Sequence, residues 1–376
     1  MPPSLRVLDS LEGVDPGQWN ALTAGNPTVR YEFLDSLHRS GCAHARRGWA
    51  PQYLTLWEEH TLAAAAPLYV KSHSYGEYVF DWAWADAYER NGLAYYPKLL
   101  CAVPFTPATG PRLLARDDAA RKRLAHALVD AARHSEVSSL HVLFPTAQDA
   151  VALRGLGLLE RTGVQFHWRN EGYHDFDAFL GALSHDKRKK IRQERRRVAE
   201  AGVTLRRATG REATGADWDF FTKCYRRTYR EHHSTPYLNR ELFGMLAQRM
   251  PDNVLLVIAE YRGRPIAAAL DLFGEHALYG RYWGSMEHVP GLHFEACYYQ
   301  ALEFCIERRI ALFEGGAQGE HKHARGFTPE VTRSFHWLAH PAFNRAIDEY
   351  LAREGEHIAQ YVDELNERSP FRRESP

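Results

Sequence analysis

Val254-Leu-Leu-Val-Ile-Ala-Glu-Tyr261, then Arg262-Gly263-Arg264, then Pro265-Ile-Ala-Ala-Ala-Leu-Asp-Leu-Phe273: two apolar runs of strand length flank a glycine turn, which reads as a β-hairpin. Ala277 to Trp283 reads as a third strand. Phe294 to Arg308 changes to helical periodicity, and Ala311 to Glu314 and Thr332 to Leu338 return to strand. Helices at Asp217 to His232 and Arg240 to Arg249 precede the hairpin. A closing helix, Pro341 to Arg368, spaces Ile347, Leu351, Ile358, Val362 and Leu365 along one side.

The first half repeats this order. Asp15 to Gly41 reads as helices joined at Gly25-Asn26-Pro27. Gln52 to Glu58 and Thr61 to Ser72 pair around Glu59-His60. Ala119 to Ser135 is an amphipathic helix, followed by a strand at Ser139 to Phe144, a short helix at Asp149 to Gly155 and a strand at Gly163 to Trp168. Helices, then a strand meander, then helix and strand make an α+β layout with mixed, mostly antiparallel sheets. A chain of 376 residues is too long for one ordinary core. The join falls near Asn170 to Asp175, which gives residues 1–170 and 171–376 as the two domains.

Lys plus Arg equals Asp plus Glu, 47 of each, so no chain-wide field for nucleic acid is expected and any basic site is local. Five scattered Cys without a CxxC pair fit a reduced, cytoplasmic protein. No signal core and no long apolar run is visible, so neither export nor membrane insertion is expected.

Asp175 to Ala201 carries the strongest local feature. Phe176, Phe179, Leu180, Leu183, Ile191 and Val198 form an apolar stripe. Around it, eight of the fourteen residues Ser184 to Arg197 are Lys or Arg, opposed only by Asp186 and Glu194. Like charges one helical turn apart repel. Either a phosphate-bearing partner relieves that repulsion, or the helix is a solvated face whose arginine stems cover apolar surface.

Leu183-Ser-His-Asp-Lys-Arg-Lys-Lys-Ile-Arg192, followed by Ala201-Gly202-Val203, resembles the segment that enters the second domain of the Fem peptidoglycan amino-acid ligases. Pro104-Phe-Thr-Pro-Ala-Thr-Gly-Pro-Arg112, Phe313-Glu-Gly-Gly-Ala-Gln-Gly-Glu-His-Lys322, Arg325-Gly-Phe327 and His336-Trp337 resemble a Fem-like branch of N-acyltransferases. The resemblance spans nearly the whole chain. It implies a bacterial protein of two tandem acetyltransferase (GNAT-like) domains that transfers an acyl or aminoacyl group to an amine. The donor it implies is aminoacyl-tRNA, as in the Fem ligases, or acyl-coenzyme A, as elsewhere in the superfamily. Arg281-Tyr-Trp-Gly-Ser-Met286 is the nearest match to the acetyltransferase phosphate loop, from which it departs at Met286.

Amide formation from a thioester or ester needs orientation of the reactants, removal of a proton and stabilisation of an oxyanion. Glu320 and His321, in the glycine-rich Glu314 to Phe327 stretch, are candidate bases, and Glu295 with neighbouring His293 is a third. For Glu295 the pull of a helix N-terminus is an equally good explanation. Lys187, Arg188, Lys190 and Arg192 of the basic helix, with Gln318, Lys322 and Arg325, are candidate donor contacts. Asp81, Trp82, Tyr96, Lys98, Arg112 and Tyr282 are candidate acceptor contacts in the groove between the domains, the first-domain set by analogy with the Fem acceptor. Phe80, Trp82 and Trp84 alternate as on one strand face, which suits core or pocket alike. Glu320, His321 and His323 lack the spacing of a metal site, and no metal is expected. No Gly-x-Ser-x-Gly, Walker or dinucleotide fingerprint is present. The rival readings are a non-catalytic binder of an anionic glycan or peptide, and an RNA-binding module that uses Lys187 to Arg197.

Overall fold

The computed structural model describes residues 3–316 and 319–372. The elements run β1 (Ser4–Leu8), α1 (Pro16–Ala21), α2 (Tyr31–Arg39), β2 (Trp49–Pro51), β3 (Tyr53–Glu58), β4 (Thr61–Ala66), β5 (Leu68–Lys71), α3 (Trp82–Arg90), β6 (Lys98–Cys101), β7 (Leu114–Ala115), α4 (Asp118–Arg133), β8 (Ser139–Leu143), α5 (Ala147–Leu153) and β9 (Leu159–Arg169). There follow α6 (Phe176–Ala182), α7 (His185–Glu200), β10 (Val203–Thr209), α8 (Gly215–Glu231), α9 (Arg240–Arg249), β11 (Val254–Tyr261), β12 (Arg264–Phe273) and β13 (Ala277–Ser285). The chain ends through α10 (Leu292–Phe294), a π-helical turn (Glu295–Tyr299), α11 (Gln300–Arg308), β14 (Leu312–Glu314), β15 (Thr328–Leu338) and α12 (Pro341–Glu367).

Two compact units result: residues 1–163 with 331–360, and residues 164–330 with 361–376. This corrects the division at residue 170. The chain passes between units inside β9, and again inside β15 and α12, so most of the closing helix belongs to the first unit.

In the first unit β1, β3, β4 and β7 form one antiparallel sheet. β2, β5 and β6 pair antiparallel, β6 runs parallel to β8, and β15 closes against β8 through Ser334–Leu338. Asp117 caps α4 by accepting from the Ala120 N–H at 2.7 Å. That helix buries Leu124, Leu128 and Val129 in one core with Leu54, Leu56, Val142 and Phe335. Each such burial is worth about 1.5–3 kcal/mol.

In the second unit β10, β11, β12 and β13 form an antiparallel meander, and β14 adds parallel to β13 and antiparallel to the end of β9. The hairpin β11–β12 is almost continuously buried, because both its faces are covered. Leu255, Val257 and Ala269 share a core with Ala301, Leu302 and Cys305 of α11 and Phe179 and Leu180 of α6, while α8 packs on β12 and β13. Among the described residues, no helix is long and apolar enough to cross a membrane.

Three local expectations are revised. Residues 175–201 are two helices, not one. The chain turns extended at Leu183 and Ser184, where Leu183 bridges Phe371 and the Ser184 N–H donates to the Pro370 carbonyl at 2.9 Å. Trp82 and Trp84 lie on helix α3, not a strand, so two residues of separation turns them to different sides; Trp84 is buried and Trp82 exposed. Arg281 to Ser285 is strand, not a phosphate loop. Gly284 is there because α8 passes close by: a Cβ on it would sit 2.3 Å from the Cys224 carbonyl oxygen. Strands β1, β2, β6 and β10 are too short or too polar to announce themselves by periodicity.

Candidate active site

β13 and β14 pair for three residues only, Ala277 with Leu312 through Tyr279 with Glu314. β14 then ends and β13 runs on to Ser285, paired to β12 alone among the described strands. A strand edge that loses its neighbour presents unpaired N–H and C=O groups to whatever fills the gap. Gly280 stands where the strands part; a Cβ there would lie 3.3 Å from the Phe313 ring.

The gap is a cleft of about 120 Å³ lined by Asp271, Tyr282, Trp283, His293, Cys297 and Tyr298, among others. A register shift between β12 and β13, where Arg281 is passed over, sets Asp271 opposite Gly280. Asp271 is buried, and its Oδ2 has no hydrogen-bond partner among the described residues. Burial, opposed only by the Arg281 charge, drives its carboxyl well above the usual carboxylate range. Burial thus favours its neutral form, and a cation beside it would favour the carboxylate.

The helix after β13 supplies the opposite wall. Its π-helical turn spans Glu295–Tyr299; such turns insert one residue and re-aim the side chains around them. His293 is pushed down to about 4 by burial, helped by His321, Arg325 and Lys322, so its ring is uncharged and carries a lone pair at neutral pH. Burial raises the Tyr298 phenol, which keeps its proton. Tyr298 Oη lies 3.2 Å from Nε2 of His321, and burial also lowers His321. Burial likewise pushes the Cys297 thiol up, with Asp271 adding, which favours the protonated thiol.

Residues Glu320–Arg325 form a 3₁₀ turn. Lys322 is buried, its Nζ 3.1 Å from the Gly316 carbonyl, and burial pushes it down to about 8. Arg325 donates to Tyr299 Oη at 3.0 Å, to the His321 carbonyl at 2.6 Å and to Glu194 at 2.7 Å, and stacks over the Phe294 ring. It positions the turn rather than reaching for a ligand. Glu320 is exposed and accepts from Tyr361 at 3.1 Å. Gln318 lies outside the described residues.

The basic helix α7 turns Ile191, Glu194 and Val198 inward. Arg195 is taken up by Glu295 (3.1 and 3.0 Å) and Glu303 (2.6 Å). Glu295 is thereby held in a two-point ion pair with Arg195. On the outer side Arg188, Lys189, Arg192 and Arg196 line an open depression of about 410 Å³ with His185 and Gln193. Arg192 also meets Asp177 at 3.1 Å. Lys187 and Lys190 lie on the same helix outside that depression. The Arg325–Glu194 ion pair joins the basic helix to the 320–325 turn, so the structure brings those two sequence features together.

Of the acceptor candidates, only Tyr282 lines this cleft. Asp81 and Lys98 belong to the first unit, where they are fully buried and 2.5 Å apart. Burial works against both charges, but each holds the other ionised. Tyr96 reaches them through Ser74 at 2.8 Å, and Trp82 is exposed nearby in the chain. Arg112 stands apart, enclosed, with its guanidinium on the Leu143 and Ala108 carbonyls at 2.8 and 2.7 Å. Among the described residues, no three His, Cys, Asp or Glu are grouped to hold a metal ion. His323 is taken up by the Phe327 and Arg368 carbonyls.

Asp271, Cys297 and Tyr298 were not singled out from the sequence. Asp271 had a signal, a lone acid in the apolar run Ile266 to Phe273. Tyr298 had none, since its neighbours form an ordinary helical pattern.

A family profile described as FemAB-like, peptidoglycan biosynthesis/recognition, matches residues 10–373. Among solved structures the chain is similar to FemX, with 11% identity, TM-score 0.56, and coverage of 93% of this chain and 100% of that one. It is similar to L-PGS from Bacillus licheniformis at 10% identity and TM-score 0.55, covering 90% and 97%. A tandem GNAT protein from the clavulanic acid biosynthesis pathway aligns over 90% of this chain and 99% of that one, with 13% identity and TM-score 0.46. No curated protein matches in sequence. The two-unit α+β fold expected from the resemblance is the fold of this chain, and it is similar to that of FemX.

Proposed function

Because this chain belongs to the FemAB-like family of peptidoglycan biosynthesis and recognition, we propose that it is an N-acyltransferase that carries an acyl or aminoacyl group from an activated donor to an amine of a peptidoglycan-related peptide. The observation that carries this reading is the parting of β13 from β14 over a cleft that gathers the uncharged His293, the Tyr298 phenol and the buried Asp271 carboxyl, with Arg281 and Tyr282 also on its wall.

Protonation states assign the roles. The acceptor amine attacks the donor carbonyl carbon, and a C–N bond forms. The uncharged His293 ring takes the proton that the amine sheds. The free edge of β13 offers backbone N–H groups to the oxyanion. As the C–S or C–O bond breaks, the Tyr298 phenol gives its proton to the departing sulfur or oxygen, and His321 steadies the phenol oxygen. Asp271 suits a cationic group of either substrate, which would supply the counter-charge that burial denies it. Arg188, Lys189, Arg192 and Arg196 suit the phosphates that acyl-CoA and aminoacyl-tRNA both carry.

The test is transfer itself: purified protein, a labelled acyl-CoA or aminoacyl-tRNA, and a stem-peptide amine, followed by product formation. Loss of about 10²–10⁴-fold in rate in Tyr298→Phe and His293→Gln supports the assignment. Stem-peptide binding by a protein that transfers nothing from either donor class would favour the non-catalytic binder instead.

A further inference from the structure

Asp271 is the one acid in the apolar run Ile266 to Phe273 of β12. The pairing sets it where β13 and β14 part. A Cβ on Gly280, its partner across the strands, would lie 3.7 Å from Asp271 Oδ1 and 3.6 Å from the Glu314 carbonyl oxygen. Two oxygens of negative character thus converge on one spot beside the cleft. Asp271 is 2% exposed, and its Oδ2 has no hydrogen-bond partner among the described residues. A buried polar oxygen left without a partner is costly, and an apolar side chain would serve β12 better if folding were the only demand.

The neighbouring cations are engaged elsewhere. Arg281 lies over the Tyr282 ring, 5.0 Å from its centre, and donates to Tyr282 Oη at 3.3 Å. Lys322 Nζ lies 3.1 Å from the Gly316 carbonyl, and Arg325 pairs with Glu194 at 2.7 Å. The cleft is otherwise walled by Trp283, Tyr298 and Phe313, and aromatic walls accommodate positive charge. Its volume of about 120 Å³ equals that of about four water molecules. That admits an ammonium on a short carbon arm. A quaternary ammonium fits less well, because it has no N–H to give to Oδ2.

We propose that Asp271 is a specificity-determining residue: with the Glu314 carbonyl it receives a primary ammonium carried by one of the substrates, and so selects that group over its uncharged isostere. A charge-assisted hydrogen bond to Oδ2 answers the one oxygen that the fold leaves unanswered. The inference rests on the acyl-transfer reading for its cleft and adds what that cleft selects. Two sources share this chemistry: the α-ammonium of an aminoacyl donor, and an ammonium of the acceptor peptide.

Saturation-transfer NMR titrations of the full chain at pH 7, with no activated donor present, test the proposal and separate the sources. Alaninamide represents the donor and N-acetyllysinamide the acceptor; propanamide and N-acetylnorleucinamide are their uncharged counterparts. At least one ammonium probe should bind wild type about tenfold or more tighter than its counterpart, the worth of one hydrogen bond to a charged group. Preference for alaninamide assigns the donor, and preference for N-acetyllysinamide the acceptor. In the isosteric variant Asp271→Asn the preference should vanish while the uncharged probe binds as before. The wild-type comparison decides by itself should that variant fail to fold. No preference for either ammonium in wild type, or a preference that survives in Asp271→Asn, overturns the proposal. Because no transfer is measured, that result leaves the transfer assay standing, and a failed transfer assay leaves this preference standing.

Discussion

Arg325 Nη2 lies 2.7 Å from Glu194 Oε1, both side chains are buried, and Tyr299 Oη touches the same pair. This ion pair ties the inner face of the basic helix to the 3₁₀ turn that carries His321 and Lys322. Removing one partner strands the other charge away from water. Arg325→Met should therefore cost about 3–5 kcal/mol in urea denaturation, whereas Lys190→Ala on the exposed face should stay within about 0.5 kcal/mol. Equal effects at the two positions would show that the pair does not anchor the turn.

Two glycines should respond with opposite signs. Gly284→Ala drives a methyl into the Cys224 backbone, which no side-chain rotation relieves, and should destabilise by about 1–3 kcal/mol or more. Gly181 sits in α6, where an added methyl would meet nothing within 4 Å. Gly181→Ala should stabilise by about 1 kcal/mol through helix propensity. Shifts in melting temperature check both.

Acid should weaken the fold well before carboxylates titrate. Burial pushes His141 and His167 down to about 3 and His293 to about 4 from 6.5, and His336 lower still. Between those values and 6.5 the unfolded chain binds more protons than the folded one, so stability is lost as pH falls through that window. Each histidine contributes up to about 1.4 kcal/mol per pH unit. Glu77, Asp149 and Asp271, raised by burial, work the other way but are fewer. The urea midpoint at pH 5 should lie below that at pH 7; a flat or rising profile would contradict these burial assignments.

Turnover should fall on the alkaline side. Lys322, pushed down to about 8 by burial, stands beside the Gly315–Gly316 edge of the cleft. Its positive charge should favour an anionic donor or oxyanion only below that value. A rate of transfer that declines above pH 8 in wild type, and not in Lys322→Met, is the expected pattern. An unchanged alkaline limb in that variant would remove Lys322 from the chemistry.

Much of this architecture is legible in the sequence. The hairpin Val254 to Phe273 stands out because strands buried on both faces are written almost wholly in apolar letters. The basic helix is visible because its charges are concentrated. What periodicity misses follows from its limits. Trp82 and Trp84 alternate as a strand would, yet helix geometry turns one inward and leaves the other in water. Asp81 and Lys98 look like ligands because charged residues amid aromatics usually are; their mutual neutralisation depends on the loop meeting β6, which neither segment states alone. Glu295 looks like a base until Arg195, one hundred residues earlier, is seen on it. The cleft depends on where β14 stops, which the letters of that short strand do not encode.

If the second unit grips an activated acyl donor through the outer face of α7 and the gap beside β13, the donor must stabilise the folded chain. Thermal unfolding with increasing acetyl-CoA and, separately, alanyl-tRNA measures this. A donor present at one hundred times its dissociation constant stabilises the folded state by about 2.7 kcal/mol. Such a rise is expected with one donor class, reduced in a variant carrying Arg188→Ala, Arg192→Ala and Arg196→Ala. No rise with either class at saturating concentration would contradict donor binding at this site.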